Sequence, residues 1–325
     1  MRERSLGRVT LPVAADDSGV FPPGRLERWA LRRREVSAGE LGSEPVADPG
    51  QTADDATARG SAPAAWDPIG YLRFAGERAR PFADLVARIA AEAPATVVDL
   101  GCGEGSLTAS LARRWPEARV TGVDSSPEML AAAAAAATPG RVAFEQGDVR
   151  EWAPPARVDV LVSNAVLHWV PGHERLLPRW AGWLRPGGWL AVQVPGNFRA
   201  PTHALLAELC RSPRWADRLA DAAPAPDAVL EPVGYLDVLT AAGLACDAWE
   251  TTYLHVLRGE DPVLGWVRST VLRPVLALLP EDDAARFTAE YAAALQDAYP
   301  RRPDGTTVLP FRRVFAVANR PLNEA

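Results

Sequence analysis

Thr96-Val97-Val98-Asp99-Leu100-Gly101-Cys102-Gly103-Glu104-Gly105-Ser106, followed 25 residues after Asp99 by Asp124, decides the fold of this chain. Apolar and β-branched residues lead into an acid, three glycines follow at alternate positions, and Ser106-Leu107-Thr108-Ala109-Ser110-Leu111-Ala112 opens a helix. Strand, glycine loop and helix form the first half of a βαβ unit, where a nucleotide-like ligand lies outside the carboxyl end of the strand. Glycine allows backbone shapes and close approach that a Cβ forbids. The next strand, Arg119 to Val123, ends in Asp124, which is placed to accept hydrogen bonds from ribose hydroxyls.

The glycine spacing selects among ligands. A dinucleotide fold uses G-x-G-x-x-G, with the pyrophosphate on the helix N-terminus. Here the glycines are Gly101, Gly103 and Gly105, and Ser106 stands where the third dinucleotide glycine would fall. Glu104 adds a carboxylate inside the loop, a poor neighbour for phosphates. The loop suits a ligand without phosphate, such as S-adenosyl-L-methionine. The pattern D-x-G-x-G-x-G, with an acid closing the next strand, resembles the first motif of the class I S-adenosylmethionine-dependent methyltransferases. The resemblance implies cofactor-binding roles for Asp99, Gly101, Cys102, Gly103, Gly105, Asp124 and Ser125.

Composition bounds the other possibilities. With 325 residues, 48% of them hydrophobic, the chain can bury a large core. A net charge of −6 offers no global basic field for nucleic acid or anionic membrane. No apolar run is long enough to span a bilayer, and the N-terminus lacks the apolar stretch of a signal peptide. Three cysteines without a C-x-x-C pair fit a reducing cytoplasm better than a disulfide framework or a zinc site. All 35 basic residues are arginine, which excludes Schiff-base and lysine-base mechanisms.

Residues 1–65 are rich in proline and glycine and poor in aromatics, so a disordered extension is expected. From Trp66 the pattern becomes globular. Asp67 can cap a helix starting at Pro68, with Tyr71, Phe74, Ala75 and Arg78 on one face, and a second helix is expected over Pro81 to Ala91. Strands follow at Thr96–Leu100, Arg119–Asp124, Val142–Gln146, Val158–Ser163 and Trp189–Val194, with helices at Ser106–Trp115, Pro127–Ala137 and His173–Leu184 between them. Cys246–His255 and Val308–Val317 read as a final strand pair. The expected fold is therefore α/β, a seven-stranded doubly wound sheet with its last strand antiparallel. Helical insertions at about 197–243 and 259–306 are expected to form a lid over the substrate in a single domain over 66–325.

Further residues line the same rim. Asp148 can accept from the adenine amino group while the Val149 amide reaches a ring nitrogen. Met129 can pack on the adenine face or in the core. Asn164 follows the fourth strand, where its amide can fix the amino-acid tail. His168 is a candidate general base or a structural histidine packed beside Trp169.

The similarity then becomes more specific. Trp66-Asp67-Pro68, Tyr71-Leu72-Arg73-Phe74, Glu77-Arg78, Arg80-Pro81 and Gly122-Val123-Asp124-Ser125-Ser126-Pro127-Glu128-Met129 resemble the bacterial trans-aconitate 2-methyltransferase family. Gln193-Val194-Pro195-Gly196-Asn197-Phe198, Pro201-Thr202-His203, Trp249-Glu250-Thr251-Thr252-Tyr253-Leu254-His255, Leu272-Arg273-Pro274 and Arg313-Val314-Phe315 extend it over about 66–320. Glu104 departs from the family, which often has Pro there. The resemblance implies methylation of a carboxylate on a small tricarboxylate. A carboxylate with pKa near 4 is ionised at pH 7 and needs no base. Arginine is the suitable clamp for the remaining carboxylates. Arg78, Arg273 and Arg313 are the candidates, with Tyr71, Asn197, His203, Tyr253 and His255 as neutral donors. Two other readings stay open here. One is methylation of another small acid or of a natural-product hydroxyl, with His168 or His255 as base; the other is a non-catalytic S-adenosylmethionine-binding protein.

Overall fold

The computed structural model describes residues 75–322 apart from residue 269, and leaves the side chains of residues 75, 77 and 78 undescribed. The extension expected over 1–65 and the helix start at Pro68 lie outside the described residues. Seven strands follow in chain order: β1 (Thr96–Leu100), β2 (Arg119–Asp124), β3 (Val142–Gln146), β4 (Val158–Asn164), β5 (Leu184–Pro195), β6 (Ala245–Leu257) and β7 (Thr307–Asn319). They form one sheet in the order β3-β2-β1-β4-β5-β7-β6. β1 to β5 pair in parallel, while β7 runs antiparallel to both β5 and β6. The order reverses at β1 and β4, so a crevice opens beyond their carboxyl ends, the usual ligand position in such sheets.

The helices are α1 (Ala75–Ala87), α2 (Ser106–Arg114), α3 (Pro127–Ala133), α4 (Leu176–Trp183), α5 (Pro201–Cys210), α6 (Ala216–Leu219), α7 (Pro232–Ala241), α8 (Pro262–Arg268), α9 (Leu272–Leu276) and α10 (Glu281–Ala298). The central strands are apolar on both faces because both faces are covered. On one face Val97, Val160, Val162, Ala191 and Phe315 pack with Phe82 and Leu85 of α1 and Leu111 of α2. On the other, Leu100, Leu161, Leu190, Val192 and Val314 pack with Trp180 of α4 and Tyr235 and Leu239 of α7.

Several boundaries differ from the sequence reading, among them the start of β5 at Leu184 rather than Trp189. The helix expected to begin at Pro81 already runs from Ala75, with Pro81 inside α1, and it ends at Ala87. An interior proline forfeits a backbone hydrogen bond and costs roughly 3 kcal/mol. Phe82, Leu85 and Val86 are buried just beyond it, each worth roughly 1.5–3 kcal/mol, so burial wins. The two insertions also divide differently. α5, α6 and α8 to α10 share one helical core around Leu206, Trp215, Trp266, Phe287 and Tyr291. α7 belongs to the core of the sheet, so only part of 197–243 joins that helical layer. Among the described residues no helix is long and apolar enough to cross a membrane.

Candidate active site

The glycine loop is shaped by what lies beneath it. Gly101, Gly103 and Gly105 have φ of 81°, 55° and 80°, a left-handed backbone that side chains resist. A Cβ on Gly101 would lie 2.1 Å from Val166 Cγ2, and one on Gly105 would lie 2.6 Å from Phe144 Cζ. Gly103 differs: a Cβ there would meet nothing within 4 Å, so the middle of the loop faces open space. The Gly101 and Cys102 amides donate to the Val123 carbonyl at 2.7 and 3.0 Å, which ties the loop to the end of β2. Cys102 is buried, and that burial pushes its thiol pKa up, so it stays protonated.

Asp124 ends β2 beside the loop. Its Oδ2 accepts from the Gly103 amide and its Oδ1 from the Ser126 amide, both at 2.9 Å. Each oxygen keeps a further lone pair for a ligand hydroxyl. Glu104 does not point into the ligand space. Its carboxylate accepts from the Ser106 amide at 3.1 Å and the Ser106 hydroxyl at 2.5 Å, at the start of α2. Gly105 is the N-cap residue and has no side chain to cap with, so the neighbouring acid serves the helix N-terminus.

Asp99 lies under the loop rather than on it. It is 3% exposed, and its Oδ2 accepts from Thr108 Oγ1 at 2.6 Å. From there it supports the loop and the start of α2, the part it can take in a cofactor site. That burial raises its pKa to about 6, against the lowering effect of the Thr108 hydrogen bond, and Asp124 raises it further. A carboxyl with a raised folded pKa binds protons more tightly when folded, so its contribution to stability falls as pH rises from about 4 to 6. At pH 7 the ionised Asp99 costs up to about 3 kcal/mol. Asp99→Asn is expected to raise the ligand-free Tm at pH 7 and to flatten the Tm profile between pH 4 and 6. Equal pH slopes in the variant and the parent would contradict this assignment.

Further along the rim, Asp148 meets Arg150, which donates to its carboxylate from Nε at 2.9 Å and from Nη2 at 2.5 Å. That pairing holds the Asp148 pKa below its usual value. The Val149 amide has no partner among the described residues. Met129 is buried in the first turn of α3, where its amide donates to Ser126 Oγ, and Ser125 is exposed beside it.

At the end of β4 the chain turns sharply. Ala165 is the only non-glycine among the described residues with positive φ, at 58°, and its amide donates to the Gln193 carbonyl at 2.8 Å. A strained residue of this kind persists only where its surroundings fix it. The turn leaves Asn164 at the strand end with its Oδ1 buried and without a hydrogen-bond partner among the described residues. Gln193 faces Asn164 across the β4–β5 register and is 1% exposed. The sequence reading passed over Gln193 as a site residue. A lone amide inside the apolar run Trp189 to Val194 was the available signal.

The same sheet face continues onto β7 and β6. Arg313 opposes both Pro195 and Thr251, and Tyr253 opposes Phe311, so side-chain alternation puts Gln193, Arg313, Tyr253 and His255 on one face. Arg313 is 6% exposed, with its guanidinium 4.5 Å from the centre of the Phe311 ring. Tyr253 donates to Asp84 Oδ2 of α1 at 2.6 Å, under the guanidinium of Arg80. His168 lies against Trp169, ring centres 4.6 Å apart, and faces Phe198, which meets His203 edge-on at 5.0 Å. Loss of water around His168 pushes its pKa down to about 3, and the nearby Arg313 and His203 push the same way. Burial lowers His203 to about 4. Both rings are therefore neutral at pH 7 and weak bases, which counts against His168 as a general base.

A family model of a methyltransferase domain matches residues 97–188. The trans-aconitate 2-methyltransferase of Streptomyces avermitilis is 58% identical over 261 residues, covering 78% of this chain and 97% of that protein. The chain belongs to the trans-aconitate 2-methyltransferase family. The family member of Streptomyces coelicolor is 56% identical over 264 residues, covering 79% of this chain and 87% of that protein. That of Mycolicibacterium gilvum is 53% identical over 254 residues, covering 78% and 98%. The protein is thus an enzyme, an S-adenosylmethionine-dependent methyltransferase, and its residues fit that cofactor. The loop is open at Gly103, Asp124 retains acceptor capacity, Glu104 is turned aside, and Asn164 holds a buried acceptor that has no partner among the described residues.

Within the family's substrate segments, the structure separates the expected residues. Arg313, Tyr253, His168 and His203 come together as described above. Asn197 does not serve as a free donor. Its Nδ2 donates to the Arg312 carbonyl at 3.0 Å and its Oδ1 accepts from the Arg312 amide at 2.8 Å, so it clamps β7 to the end of β5. His255 is buried in a stack on Trp266, ring centres 4.4 Å apart, at the edge of the helical layer. Arg273 is half-buried in α9, between Leu272 and Val275 of the helical core. Tyr71 and the side chain of Arg78 lie outside the described residues.

Proposed function

We propose that this methyltransferase esterifies one carboxylate of trans-aconitate, giving a monomethyl ester, with cis-aconitate and citrate as poorer acceptors. The observation that carries the reading is the buried Arg313 guanidinium among histidines that stay neutral. Such a pocket attracts an anion and supplies no strong base. A carboxylate nucleophile needs none, because it is ionised at pH 7. A hydroxyl would need one. The same relatives carry the trans-aconitate name over nearly their whole length. We place the enzyme in the cytoplasm, where its cysteines stay reduced.

S-adenosylmethionine supplies, when bound, a methyl group on a sulfonium sulfur that a carboxylate oxygen can displace in line. Asp124 and the open glycine loop would hold the ribose, Val149 and Asp148 the adenine, and Asn164 the amino-acid tail. Arg313 would hold a spectator carboxylate by a planar pair of hydrogen bonds. Phe311, over which the Arg313 guanidinium lies, would exclude water around it, and the helical layer of α5, α6 and α8 to α10 would close over the substrate. The work of the protein is alignment and desolvation.

The test is a methyl-transfer assay with labelled donor across di- and tricarboxylates, phenols and alcohols. The expected result is fastest transfer to trans-aconitate, at a rate nearly constant between pH 6 and 8. Faster transfer to a phenol or alcohol, with a rate climbing through a histidine pKa, would overturn the reading.

A further inference from the structure

Gln193 holds a fully buried amide, and neither its Nε2 nor its Oε1 has a hydrogen-bond partner among the described residues. It is flanked in the register by Asn164 of β4 and Phe315 of β7, and Arg313 lies two residues from Phe315. Strand alternation puts the Gln193, Asn164 and Arg313 side chains on the same sheet face. A buried amide without partners destabilises a fold, and an apolar residue of similar shape would suit this strand better. Folding therefore gives no reason for an amide here. A ligand does. Arg313 lies diagonal to Gln193 in the β5–β7 register, and an amide N–H on the same face as a guanidinium makes a donor set for an anion with two oxygens.

We propose that Gln193 is a substrate-binding residue whose Nε2 donates to the spectator carboxylate held by Arg313. Its Oε1 then bridges to a neighbouring donor such as the Asn164 amide. The assignment rests on the carboxylate reading above and adds a second contact that recognises the acid. Asn164 serves the cofactor side of the amide pair and Gln193 the acceptor side.

Gln193→Leu and Gln193→Glu in the full chain test this, with Gln193→Met as a second apolar variant of close shape. Three quantities are measured: the ligand-free Tm, the Kd of S-adenosylhomocysteine, and the calorimetric Kd of trans-aconitate with S-adenosylhomocysteine saturating. For Leu and Met the expected result is an unchanged or higher Tm and a product Kd within threefold of the parent. Trans-aconitate should bind at least tenfold more weakly, and KM should rise more than kcat falls. Glu should weaken trans-aconitate at least a hundredfold through charge repulsion. A lower Tm in both apolar variants with trans-aconitate affinity intact would overturn the assignment in favour of a structural role. A larger loss for S-adenosylhomocysteine than for trans-aconitate would overturn it in favour of the cofactor. Parent enzyme that binds no tricarboxylate would instead overturn the substrate reading beneath it.

Discussion

Arg313→Ala is expected to lower kcat/KM for trans-aconitate by roughly 100- to 1000-fold, about 3–4 kcal/mol. Arg313 is 6% exposed on the site face, so a carboxylate bound to its guanidinium is largely withdrawn from water. Removing one partner of such a pair leaves the other charge buried without compensation, which is the costly case. Arg313→Lys keeps the charge but loses the planar fork and should recover only part of the loss. S-adenosylmethionine affinity should stay within about threefold in both variants, because Arg313 lies on β7, away from the glycine loop. Steady-state kinetics with calorimetry of the cofactor separates the two effects. A KM within threefold of the parent for Arg313→Ala would remove this residue from the clamp.

Asp124→Ala carries the second large effect. The carboxylate accepts from the Gly103 and Ser126 amides, and in the proposed site it also accepts from the ribose hydroxyls. Its loss therefore removes charged acceptors from the ligand and loosens the loop that faces it. A cofactor Kd raised by roughly 10- to 100-fold is expected, on the scale of 1–3 kcal/mol for a charged hydrogen-bond acceptor. Asp124→Asn has one carbonyl oxygen where two acceptors are used, so it should fall between parent and alanine. Calorimetry with S-adenosylhomocysteine measures both. NADH binding more tightly than S-adenosylmethionine to the parent would contradict the reading of the loop itself.

The parts of the site visible in the sequence were those built from neighbours along the chain. Strand, glycine loop and helix are fixed by local backbone chemistry, so Gly101 to Ser106 could be read directly, and the alternation of apolar strands with helices gave the sheet. Asn197 shows where that reading stops. As a polar residue next to the site it resembled a ligand donor, but its partners are the backbone groups of Arg312, 115 positions away, brought there only by the β5–β7 pairing. Pro81 misled in the opposite direction: a strong local helix-start signal was overridden by the burial of Phe82 and Leu85. Glu104 was visible as a charge in the loop, but its direction depended on Gly105 leaving the N-terminus of α2 without a capping side chain.

The central claim is ester formation on a carboxylate, and the chemistry of the product tests it most directly. Purified enzyme, methyl-labelled S-adenosylmethionine and trans-aconitate should yield a monomethyl ester with two free carboxylates and a single labelled methyl, and mild base should release that label as methanol. Label that never reaches trans-aconitate, or that stays on the product through base treatment, would contradict the account.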